Sequence, residues 1–162
     1  MPLLGHLPWG HSLHIHIQRV NRWYTRLNNL YRGSIQEHPE MALDQMLVFF
    51  IFCHQLKDWM IKETSIPKLL IEEYVSQNAC LAICADLANG VKHLGVGDRH
   101  APRTGGDLRA REAYIITDSG SVLPRPIITL DGEQVDVEDL ATECIQKWNV
   151  FLQSHSQEIE RV

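Results

Sequence analysis

The 162-residue chain reads as a mainly α fold: an up-and-down bundle of four or five helices, with one β-hairpin inserted before the last helix. Three observations predict it. Apolar residues recur at three- and four-residue spacing over four long stretches, as they do on helices with one buried face. Short β-branched runs are confined to one region, AYIITD and PIITL, within residues 113–131. Gly33, Pro39, Gly95, Gly97 and Asp136 stand at the junctions, where helix stops and starts belong.

The first helix is expected from about Ser12 to Tyr31, with Leu13, Ile17, Val20, Tyr24, Leu27 and Tyr31 on one face and Gly33 as its stop. The second begins at Pro39, a favoured first-turn residue, and runs to about Glu63. A short third helix follows Ser65 as cap. The fourth spans about Gln77 to Leu94, with Cys80, Cys84, Leu87, Val91 and Leu94 on its core stripe. Residues 95–112 carry no apolar periodicity and read as a flexible loop. The segment 113–131 reads as the hairpin. Asp136 then caps a last helix over 136–154, striped by Val137, Leu140, Cys144, Trp148, Phe151 and Leu152. Together with an N-terminal arm over residues 1–11, these make a single helical domain.

Composition narrows the function classes. Hydrophobic content of 44% and charged content of 22% are ordinary for a globular protein, and 162 residues suffice for one sizeable core. A formal charge of −5 argues against bulk attraction to nucleic acid, though not against a local basic groove. No window reaches 18 apolar residues and the opening lacks a basic, then apolar, leader pattern, so a soluble cytoplasmic protein without membrane contact is expected. Cys53, Cys80, Cys84 and Cys144 lie in apolar helical patterns without CxxC spacing and are expected as buried, reduced thiols.

The informative break is in LDQMLVFFIFCHQLKDWMI, residues 43–61. Met46 to Cys53 is apolar on every side, which suits a central helix. His54, Lys57 and Asp58 then interrupt it. At about 100° per residue, His54 and Asp58 fall on the stripe carrying Leu47, Ile51 and Ile61. Buried polar groups need partners, and Asp86, Asn89 and His93, at i, i+3 and i+7 on the fourth helix, are the candidates. The expected polar network is thus His54, Lys57, Asp58 and Asp86, with Arg19, Arg22 or Arg26 of the first helix as a further partner for Asp58 or Asp86. Alternatively, His54, Asp58, Asp86 and His93 could ligate a metal, although bundle di-metal sites typically use Glu with Glu-x-x-His, which is absent here. No cofactor is otherwise expected.

ADLANGVKH, residues 85–93, resembles the signature segment of the HEPN superfamily, small helical-bundle domains of bacterial toxin–antitoxin and phage-defence systems. Asn89, Lys92 and His93 match the N-x-x-K-H part of a common variant. That resemblance implies RNA as substrate, a possible homodimer and a protein partner encoded nearby. It implies His93 as general acid/base near the scissile phosphate, Lys92 or a loop Arg stabilising the phosphorane charge, and Asn89 orienting ribose or phosphate. Ala88 stands where the signature places Arg, so ribonuclease activity is expected to be weak or absent. CHQLKDWM and CADLANGVKHLG also resemble a group of uncharacterised bacterial proteins with HLKDW and CADLxNGxKHL patterns, over roughly residues 18–95; that likeness implies no activity. The rival reading is a non-catalytic interaction bundle whose His/Asp/Asn cluster is structural.

Softer features remain. Arg99, Arg103, Arg109 and Arg111, with His100, make the loop after the fourth helix locally basic, and a solvated loop is expected. His14 and His16 are expected on the wet side of the first helix, and His6 and His11 in the arm. Trp23, Trp59 and Trp148 are expected in the core.

Overall fold

The computed structural model describes residues 13–93 and 102–160, without the side chains of 91–93. Among them the helices are α1 Leu13–Tyr31, α2 Pro39–Glu63, α3 Lys68–Gln77, α4 Ala79–His93, α5 Val137–Ser154 and α6 Ser156–Ile159. Five short strands, β1 Leu108–Arg111, β2 Tyr114–Ile116, β3 Val122–Pro124, β4 Ile127–Leu130 and β5 Glu133–Val135, precede α5. The fold is mainly α. The N-terminal arm and most of the segment joining α4 to the strands lie outside the described residues, among them His6, His11, Arg99 and His100.

α1 ends because Gly33 takes a left-handed φ of 73°. The Ser34 N–H then reaches the Asn29 carbonyl at 2.9 Å and the Gly33 N–H reaches Leu30 at 3.1 Å, closing the orphan carbonyls of the last turn. α2 starts at Pro39 as expected. It runs antiparallel to α1: the Leu13 N–H donates to Glu63 Oε2 at 2.6 Å at one end, and Arg26 donates to Gln45 at 2.8 Å towards the other. α2 also packs against α4, where the Cys84 thiol donates to the Phe50 carbonyl at 3.3 Å. Met46, Phe49, Phe50, Cys53 and Met60 are wholly buried on α2, so it is the central helix its sequence requires. Asp136 caps α5, accepting from the Asp139 N–H at 2.8 Å.

The strand region corrects the expectation. AYIIT and PIITL are not partners. β2 folds back onto β3, with Ile115 opposite Leu123, around a turn at Gly120 (φ 79°) inside the Ser-Gly-Ser segment. PIITL instead supplies β4, the middle of a sheet ordered β1-β4-β5. Its partner β1 comes from the segment read as a flexible loop, with Ala110 opposite Ile128. The strand was concealed because its exposed positions are Arg109 and Arg111, while Leu108 and Ala110 alternate inward. Asp131 (φ 53°) and Gly132 (φ 86°) close the two-residue β4–β5 turn, as primed hairpin turns require. Pro67, not Ser65, stands at the N-cap position of α3, and it makes no side-chain cap bond.

Candidate functional site

Asp86 on α4 is 3% exposed and wholly engaged by the chain that returns past it. Its carboxylate accepts from the Arg103 N–H at 2.8 Å, the Thr104 N–H at 2.9 Å and the Thr104 hydroxyl at 2.7 Å. These charge-assisted bonds fix the turn that leads into β1. Arg103 is thereby aimed back over α3. It donates to Glu72 Oε2 at 2.5 Å and to Ser76 Oγ at 2.6 Å, while Lys57 Nζ of α2 donates to Glu72 Oε1 at 2.9 Å. Burial opposes the charge on both Lys57 and Glu72. Their mutual bond nevertheless holds the Lys57 ammonium above its usual range and, with Arg103, the Glu72 carboxyl below its own.

The expected network therefore exists in part, with a different centre. Lys57 and Asp86 belong to it. His54 is buried beside it, and burial first, then the Lys57 charge, depress its pKa to about 4, so the ring is neutral. Asp58 is a correction: its side chain is 60% exposed and, among the described residues, bonds only to the adjacent Lys57, at 3.0 Å. Lys57 is the residue that turns inward, because Glu72 awaits it. The first-helix arginines are a second correction. Arg26 pairs with Glu37 at 2.9 Å, Arg19 donates to His16 at 3.2 Å, and Arg22 is exposed. Neither Asp58 nor Asp86 is among their partners. Glu72, Ser76 and Thr104 were not foreseen; the pair Glu72–Glu73 on a short helix carries no periodic signal that singles out one member.

His16 is a third correction, since it is fully buried rather than wet. Its Nε2–H donates to the Phe52 carbonyl at 2.8 Å, Nδ1 accepts from Arg19, and the ring stacks on Trp59 at 5.3 Å. Burial lowers its pKa, and the two bonds fix one neutral tautomer.

Of residues 85–93, Asn89 is half-buried near the end of α4, and the side chains of Lys92 and His93 lie outside the described residues. Ala88, where the signature places Arg, is 8% exposed. The metal reading loses its carboxylates: Asp58 faces solvent and Asp86 is filled by backbone donors. Beside Asp86 lies a pocket of about 540 Å³ between α4 and β1, with Leu47, Leu87, Leu108 and Ala110 in its wall and Asp107 and Arg109 among its polar groups. Gly90 also lines it, and a Cβ there would meet nothing within 4 Å among the described residues. No helix among the described residues is long and apolar enough to cross a membrane. No protein-family model, curated protein or solved structure matches the chain.

Proposed function

We propose that the chain is a non-catalytic binding bundle, HEPN-like in its α4 segment, whose α4–β1 pocket receives an apolar group of a protein partner. The use of Asp86 carries the reading. The one buried acid beside the pocket is saturated by the turn at 102–106, and Lys57 and Arg103 are spent on Glu72, so these charges serve architecture rather than a reacting group. The buried position of Ala88 supports the same reading, because a guanidinium there would have to displace whatever covers a site 8% exposed. A defence or toxin–antitoxin setting, with a partner encoded nearby, follows from the HEPN resemblance.

The test has two arms. Single-turnover incubation with mixed RNAs is expected to give no cleavage by the wild type or by His93→Ala. The pocket arm measures binding of the neighbouring gene's product, with Gly90→Trp expected to fill the pocket and abolish it while the melting profile stays cooperative. Wild-type cleavage lost in His93→Ala would replace this reading with a ribonuclease.

A further inference from the structure

Three helices bring thiols to one point in the core. The Sγ atoms of Cys53 (α2), Cys84 (α4) and Cys144 (α5) all lie within 4.8 Å of one another, and each residue is at most 1% exposed. No other group of three or more His, Cys, Asp or Glu residues among the described ones is close enough to share an ion. All four cysteines are free. Cys84 and Cys144 rest their thiols on helix carbonyls, Phe50 at 3.3 Å and Cys80 at 3.4 Å, which already serve their own helices.

A second observation points into the same spot. The Trp148 indole Nε1–H is the one buried side-chain nitrogen or oxygen among the described residues with no hydrogen-bond partner, and it lies beside the Cys53 sulfur. A buried N–H without an acceptor is costly, and a thiolate is a much better acceptor than a thiol. The ordinary explanation of buried cysteines, small apolar fillers, accounts for their burial but not for three sulfurs and an unpaired N–H meeting at one point.

We propose that Cys53, Cys84 and Cys144 form a buried three-sulfur site for one Cu(I) ion, with Trp148 donating its N–H to the Cys53 thiolate. The ligand set selects the ion. Thiolates suit soft cations. Structural zinc almost always takes four tetrahedral ligands, and a catalytic zinc completes its shell with water. Here three sulfurs lie within 4.8 Å of one another, the Cys80 thiol meets Cys144 from outside that group, and the surroundings are apolar. A low-coordinate monovalent ion fits that set. On binding, Cu(I) replaces the protons of two thiols, which pass to solvent; the third sulfur coordinates as a thiol. The buried centre then carries a single negative charge, next to the Trp148 donor. No electron is transferred.

The experiment uses the full chain, reduced and handled without oxygen. Cu(I) is added in competition with a chromophoric Cu(I) chelator, and copper, protein and near-ultraviolet sulfur-to-copper absorption are measured. The expected result is one copper retained per chain, a higher melting temperature and a change in tryptophan emission. Cys144→Ser is expected to lose copper by at least tenfold in affinity, whereas Cys80→Ser retains it. Circular dichroism confirms that each variant is folded, and Cys53→Ala provides an independent variant if Cys144→Ser is not. Trp148→Phe is expected to keep the stoichiometry but bind more weakly. Failure of the folded wild type to hold copper against the chelator would overturn the proposal, as would equal retention by Cys144→Ser or Zn(II) held as tightly as Cu(I).

Discussion

His54 carries a pH dependence that follows from its surroundings. Burial, then the Lys57 charge, push its pKa down to about 4 in the folded chain, against an ordinary value of 6.5. The unfolded chain therefore binds more protons between those values. Stability is fully present above about pH 6.5 and declines as pH falls towards 4, by up to about 3 kcal/mol for this one group. His54→Leu is expected to flatten that decline, leaving the part due to His16, whose pKa is lowered in the same direction. Urea midpoints at pH 7 and pH 4.5 measure it; parallel losses in variant and wild type would exclude His54 as the source. Asp86 gives a contrast that does not depend on titration. Asp86→Ala strands the Arg103 and Thr104 amides and should cost about 2–3 kcal/mol, while the exposed Asp58→Ala should stay within about 0.5 kcal/mol. Period alone placed Asp58 on the buried stripe. It could not show that Glu72 on α3 draws Lys57 in instead. His16 escaped for a related reason: alternation with Leu13, Ile15 and Ile17 suggested a wet side, but Trp59 and Phe52 of α2 cover it.

At the scale of elements, the helices were legible because each carries its own punctuation. Pro39 and Asp136 start α2 and α5, and Gly33 ends α1, whatever the rest of the chain does. The strands were not, because their pairing is long-range: nothing local to LRAR says that it lies beside IITL rather than in solvent. The Gly33 stop is also a packing site. A Cβ there would lie 3.2 Å from Leu123 Cδ1 of β3, on a backbone already in the left-handed region. Gly33→Ala should therefore lose about 1–2 kcal/mol, read as a lower urea midpoint with an unchanged slope. An unaltered midpoint would mean that α1 can end without this geometry. The β2–β3 hairpin that Gly33 meets leaves Tyr114, Ile116 and Val122 largely exposed, so its contact with α1 is narrow.

Across the whole molecule, α1 is joined to the C-terminal half by a few bonds of very long reach. The Tyr31 hydroxyl donates to the Pro126 carbonyl, 95 residues on, and the Tyr24 hydroxyl bonds to Thr142 at 2.8 Å, 118 residues on. The α1–α2 hairpin, by contrast, is built from neighbours in the chain. Closing a long loop must precede any reward from the contact it makes, so α1 and α2 should pair early and α5 should seat on α1 only after the rate-limiting step. The chain would then pass its barrier with Tyr24 still free of Thr142. Tyr24→Phe removes that bond without emptying the ring's place beside Phe49. At a loss of about 1 kcal/mol, it should speed unfolding about fivefold and leave the refolding rate unchanged. Stopped-flow refolding and unfolding of the two proteins would show it. A slowed refolding arm would instead place the meeting of the two ends of the chain among the first events in its folding.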